Sequence, residues 1–220
     1  MTKWGGGVKR NNIIYDKIYV SRAKLESRKT YGEEKVQKIF ERNGYKIIYP
    51  ETLPLKKQIQ LIKTCKYLAG CAGTALHMAL FMKEGGTVIQ IKRNSLNKDN
   101  SDTQYLINKT KNLNSVFINA SIETVKTDHG SDTPQIIGVN NNMSEFFKDF
   151  NFKTVKSDFE FDAQAHDEYI NALTEYQSIH GSKIMELFKR KLVRISACFI
   201  PGRYNRSIWR RWLKKKLGLA

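Results

Sequence analysis

The stretch best equipped for chemistry is Leu68-Ala69-Gly70-Cys71-Ala72-Gly73-Thr74-Ala75-Leu76-His77. A strand-like run enters two glycines, and a helix-like run opens at Thr74, a residue type that caps helix N-termini. Free backbone N–H groups at the positive end of a helix attract anions, so Gly73, Thr74 and Ala75 form a candidate cradle for a diphosphate. A turn whose glycines serve only close packing would have the same sequence, and the turn alone does not separate the two. Arg22 and Arg28 come after another strand-like run; guanidinium groups there pair with diphosphate oxygens and stabilise a departing charge. Glu51 comes after Pro50 and a further such run, where a carboxylate can accept from a ribose diol, or simply favour a helix N-terminus. His77, amid apolar neighbours, reads first as a core histidine; an acid–base or electrostatic group is the second reading. No Asp-X-Asp occurs, so the expected site has no essential metal, and no cofactor is expected. His129, His166 and His180 have no site-like spacing and read as structural or surface residues.

The elements that must position these groups alternate in period. Residues 13–21, 45–49, 87–91 and 115–119 are β-branched and aromatic and read as strands, as does the run at 67–69. Residues 30–43, 55–65, 74–83 and 104–112 carry apolar residues at helical spacing. Such alternation with short connections predicts an α/β domain: a Rossmann-like parallel sheet of about five strands with right-handed crossovers and helices on both faces. The expected division is a Rossmann-like domain at 1–126, an acidic loop and helix extension at 127–180, and a basic amphipathic tail at 181–220. A short helix is expected at 144–150 and a longer one at 162–179.

The 220 residues are 40% hydrophobic and 27% charged, which fits a soluble globular protein and excludes a chain disordered throughout. Three cysteines form neither a disulfide framework nor a metal motif. Net charge is +17, and residues 181–220 supply +11 of it, with twelve basic residues against Glu186. The excess is a property of the tail. Its segment 204–219 sets Ile208, Trp209, Trp212, Leu213 and Leu217 on one stripe, with Arg210, Arg211, Lys214, Lys215 and Lys216 around it. That pattern predicts a helix on an anionic membrane surface. A helix docking on its own domain or on a partner is the second reading, and nucleic-acid binding the least favoured. No run is apolar enough to span a bilayer, and the N-terminus lacks a signal-peptide pattern. The expected location is cytoplasmic, peripheral on the inner face of the plasma membrane.

One set of short motifs, in order, resembles glycosyltransferase family 61, the capsular-polysaccharide and lipopolysaccharide-type transferases. It comprises Ile18-Tyr19-Val20-Ser21-Arg22, Arg28-Lys29-Thr30-Tyr31-Gly32-Glu33-Glu34, Tyr49-Pro50-Glu51, Gln58-Ile59, the glycine turn through Leu76, and Leu80-Phe81. The resemblance runs over residues 13–119 and implies the donor-binding half of a metal-independent GT-B enzyme. It also implies a nucleotide-sugar donor and a glycan or lipid-linked acceptor. Two positions depart from the family pattern: Ala72 stands where the family has a histidine, and Gly32 where it has an asparagine. The resemblance therefore supports either a transferase building cell-surface polysaccharide or lipopolysaccharide, or a degenerate or truncated homologue acting as a binding subunit. With no acceptor half before the first strand, the acceptor site would come from residues 128–180 and a partner chain, or from a longer reading frame.

Overall fold

A computed structural model describes residues 14–25, 29–93, 103–122, 133–198 and 203–217, the side chains of 180–188, 198 and 203–204 aside. Arg28 and His129 lie outside the described residues. Five strands form one parallel sheet: β1 (Lys17–Val20), β3 (Lys46–Ile48), β4 (Tyr67–Cys71), β5 (Thr87–Lys92) and β6 (Asn114–Asn119). Their spatial order is β3-β1-β4-β5-β6. A second sheet pairs β2 (Thr30–Tyr31) with β7 (Gln135–Ile136), also parallel. The α/β, Rossmann-like expectation holds.

Both faces of the central strands are apolar, as a doubly covered parallel sheet requires. Tyr19, Ala69, Ile89 and Ile118 face α1 (Glu33–Arg42) and α4 (Asn141–Asp149), packing with Val36, Phe40 and Phe146. Ile18, Val20, Leu68 and Val88 point the other way, into a cluster with Leu61, Ile62, Leu76 and Ile107. These come from α2 (Leu55–Ile62), a 3-10 helix at Thr74–Phe81 and α3 (Thr103–Thr110). Asn140 caps α4, accepting from the Met143 amide at 3.1 Å while donating to the carbonyl of Asn119 at 2.9 Å. That side chain ties the acidic region to the end of β6.

Several boundaries move for physical reasons. The helix expected from residue 30 begins at Glu33, because Thr30 and Tyr31 pair with β7 and Gly32 breaks the path at φ +77°. The helix expected at 55–65 stops at Ile62. The helix expected at 74–83 is a 3-10 helix, so every third residue shares a ridge instead of every 3.6th. The first strand is confined to Lys17–Val20.

Contacts divide the chain into Met1–Tyr169 and Ile170–Ala220, whereas the composition of the sequence places its boundaries at 127 and 181. The division falls within α5 (Ala163–Cys198), which precedes α6 (Arg203–Lys216). In the second unit Trp209 Nε1 donates to Ser196 Oγ at 3.1 Å, and Lys189 Nζ donates to the Leu217 carbonyl at 3.2 Å. The two helices thus turn back on one another, and Val193 and Ala197 on α5 are buried. Among the described residues, no helix is long and apolar enough to cross a membrane.

Candidate functional site

Strand order reverses between β1 and β4: the chain leaves β1 for β3 on one side and later continues from β4 to β5 on the other. Helices therefore part at the carboxyl ends of these two strands, and open α/β sheets bind ligands in such a crevice. The residues just past each strand line it, Ser21 and Arg22 beyond β1, and Ala72, Gly73 and Thr74 beyond β4. Val20 pairs with Gly70, and a Cβ on Gly70 would lie 2.6 Å from the Val20 carbonyl oxygen. The glycine lets the two backbones close up.

Arg22 is buried, and its guanidinium reaches across the crevice. A Cβ on Gly73 would lie 2.5 Å from its Nη1, so the missing side chain at Gly73 is the space the guanidinium uses. Arg22 Nε meets no hydrogen-bond partner among the described residues. A buried guanidinium with an unsatisfied donor has a hydrogen bond still to give. At the turn itself, the Leu76 amide donates to the Gly73 carbonyl at 3.1 Å. This is the first bond of the 3-10 helix, which leaves the Thr74 and Ala75 N–H groups without a partner inside it. Thr74 makes no side-chain cap; the cap position belongs to Gly73.

Two further residues emerge from the structure: Glu33, which the sequence shows only as part of a motif, and Arg93, which no motif contains. Glu33 is fully buried; its Oε1 accepts from the Arg22 amide at 3.0 Å and from Tyr19 Oη at 3.2 Å. It thereby fixes the backbone that launches Arg22. Arg93, just past β5, donates from Nη1 to Thr30 Oγ1 at 3.3 Å, and lies close enough to Cys71 to act on its charge. The signal in the sequence is positional: both residues sit at the carboxyl end of the sheet, one opening α1 and the other ending β5. A buried acid at a helix start is invisible to periodicity, because its partners come from outside its own helix.

Burial lifts the Glu33 carboxyl to about 7, against the Arg22 amide and Tyr19 hydroxyl, whose hydrogen bonds pull it down. The folded chain thus keeps this proton to higher pH than the unfolded chain. Stability is greatest below the unfolded value, falls as pH rises toward the folded value, and is level above it. Wild type should lose about 3 kcal/mol relative to Glu33→Gln across that window, which runs from about pH 4.5 to about 7. Urea melts at several pH values measure it; parallel profiles for the two chains would refute the assignment.

The other expected residues are placed separately. His77 is half-buried, and the 3-10 spacing sets it on the ridge of Thr74 and Leu80, both exposed, while Leu76, Ala79 and Met82 form the buried ridge. It makes no hydrogen bond among the described residues, and it stands outside the core cluster that Ala75 and Met78 pack against. Glu51 is exposed in a 3-10 turn (Pro50–Thr52) at the carboxyl end of β3, the same end of the sheet, and among the described residues no hydrogen bond or ion pair joins it to Arg22. In α6, Arg210, Arg211, Trp212, Lys214, Lys215 and Lys216 lie on the more open side, with Trp212 half exposed. Trp209 is half-buried on Ser196 and stacked on Trp212 with centroids 5.1 Å apart. Among the described residues no group of three His, Cys, Asp or Glu side chains is arranged to hold a metal ion.

The family model described as Glycosyltransferase 61 matches residues 6–89, less than half of the chain. That span contains β1 through β4, the glycine turn, Arg22, Glu33, Glu51 and His77, and ends within β5. No curated protein matches the chain.

Proposed function

We propose that this chain, whose residues 6–89 match the glycosyltransferase 61 family model, is a member of that family that transfers a sugar from a nucleotide-sugar donor to a cell-surface polysaccharide or lipopolysaccharide acceptor. One observation carries the reading: the buried Arg22 guanidinium, with an unsatisfied Nε, lies over Gly73 at the point where strand order reverses. The donor diphosphate would lie on Arg22 and on the Gly73–Ala75 turn, with Arg28 adding charge and Glu51 taking the ribose diol. In the transfer, the acceptor oxygen bonds to the anomeric carbon as that carbon's bond to the phosphate oxygen breaks. The electron pair leaves with the diphosphate, where Arg22 stabilises it. The acceptor's hydroxyl proton goes to a base, for which His77 is the candidate on the exposed ridge that starts at the turn.

The architecture proposed is the donor half of a metal-independent GT-B transferase, with a partner chain or further sequence completing it. Ala72, in place of the family's histidine, favours one alternative, a binding subunit without turnover. Calorimetry with UDP, CMP and GDP tests the donor site: at least one should bind, and silence from all three overturns it. Turnover with the sugar-linked form of the binder then separates enzyme from subunit.

The basic unit is proposed to hold the chain on the cytoplasmic face of an anionic membrane. Its exposed Ile208 and Trp212 stand among the cations of α6, and each Lys or Arg near such a surface contributes about 1 kcal/mol. Sedimentation with anionic and with neutral vesicles distinguishes this from binding through apolar contact alone.

A further inference from the structure

We propose that the cavity between α1 and the first turns of α5 is an acceptor subsite, and that it takes a neutral carbohydrate and not an anion. The assignment rests on the transferase reading. The cavity encloses about 570 Å³, within the roughly 300–1,000 Å³ of small-ligand sites. A short 3-10 segment (Lys156–Phe159) closes its far side.

Its charge pattern selects the ligand. Lys29, Lys35, Lys38 and Arg42 line it, and so do Glu34, Asp158, Asp162 and Glu168, so its walls carry no net charge. Two of these four cations are already paired: Lys29 lies 3.0 Å from Glu168, and Arg42 2.6 Å from Asp158. A phosphate entering here would find carboxylates among the cations, the reverse of the crevice, where Arg22 stands over a glycine. Interleaved donors and acceptors instead suit a polyol, whose every hydroxyl both donates and accepts. Glu34 and Lys38 supply that pair one helical turn apart on α1; both are exposed and make no hydrogen bond or ion pair among the described residues.

Position links the cavity to the crevice. Ala23 and Thr30 are on its wall, and they are the neighbours of Arg22 in sequence and of Arg93 through a hydrogen bond. Glu33, which holds the Arg22 amide, lies between Gly32 and Glu34, both also on the wall. These shared neighbours place a glycan held in the cavity beside the crevice, so the sugar unit held there is not the one that reacts; a neighbouring unit of the same glycan would reach the anomeric carbon.

The test uses the full chain and saturation-transfer NMR with lactose, mannobiose, chitobiose and maltotriose, with and without UDP. At least one neutral sugar should show transfer that saturating UDP does not displace. The Glu34→Ala/Lys38→Ala chain, altered only at exposed helix positions where alanine is well tolerated, should bind that sugar at least tenfold more weakly and UDP unchanged. Three results overturn the subsite: no sugar bound while UDP binds, sugar affinity unchanged in the double variant, or UDP weakened by it, which would make the cavity part of the nucleotide site. Sugar binding without any nucleotide binding would leave the subsite standing and remove the donor reading.

Discussion

Arg22→Ala should weaken binding of the nucleotide that wild type binds by about 10²-fold or more, with the fold intact. A charge-assisted hydrogen bond to phosphate contributes roughly 1.5–3 kcal/mol, and a guanidinium fork makes two. The loss should exceed that of any surface arginine, because Arg22 is only 8% exposed and its field is poorly screened by water. The fold should survive. The contact that organises the local chain, the Arg22 amide to Glu33 Oε1 at 3.0 Å, is made by backbone and remains in the alanine chain. Melting temperature should therefore stay within a few degrees while calorimetry with the bound nucleotide loses its signal. Arg22→Lys should recover little, since one ammonium cannot reproduce a planar fork. Gly73→Ala supplies an independent check: its Cβ would lie 2.5 Å from Arg22 Nη1 and displace a flexible group. It should cost part of the binding while Arg22 keeps its charge. Unchanged nucleotide affinity in Arg22→Ala would end the donor-site assignment.

Much of this architecture is legible in the sequence, and the reasons differ by element. Residues 87–91 read as a strand because both faces of the central β5 are buried, and Val88, Ile89 and Ile91 are accordingly all apolar; residues 115–119, at the sheet edge, read as one from the β-branched and aromatic Val116, Phe117 and Ile118. The glycine turn is legible because only glycine permits the approach of Val20 to Gly70 and of Arg22 to Gly73. Other features depend on partners distant in sequence. Thr30 and Tyr31 have the local pattern of a helix start, and only pairing with Gln135 and Ile136, about a hundred residues later, makes them a strand. Phe146 and Phe147 lie in a stretch whose acidic composition reads as an extension, yet in the main core Phe146 stacks on Phe40 and Phe147 meets it edge-on. His77 changes meaning with a single parameter: at 3.6 residues per turn it falls among apolar residues, and at three it joins Thr74 and Leu80 on the exposed side.

Gly32 holds a position that glycine alone fills without strain. Gly32 has φ +77°, a left-handed conformation that costs an L-residue roughly 1–2 kcal/mol. A Cβ there would also overlap the carbonyl oxygen of Ile137, a backbone atom with nowhere to rotate. The Ile137 amide donates to the Tyr31 carbonyl at 3.0 Å, so relieving the overlap would pull β7 away from β2. Gly44 provides the control: its φ is +83°, but nothing lies within 4 Å of its Cβ position. The two glycines share a backbone conformation and differ in surroundings. Gly44→Ala should thus cost only the conformational part, about 1 kcal/mol. Gly32→Ala adds the collision and should cost about 3 kcal/mol or more, with urea denaturation measuring both. Gly32→Asn, which restores the family's residue, should be milder than alanine in conformational strain, because asparagine tolerates the left-handed region. It should not be milder in the collision, and so should remain far below wild type in stability. Equal losses at positions 32 and 44 would show that the Ile137 contact does not exist in solution, and the seating of β7 beside the candidate site would have to be redrawn.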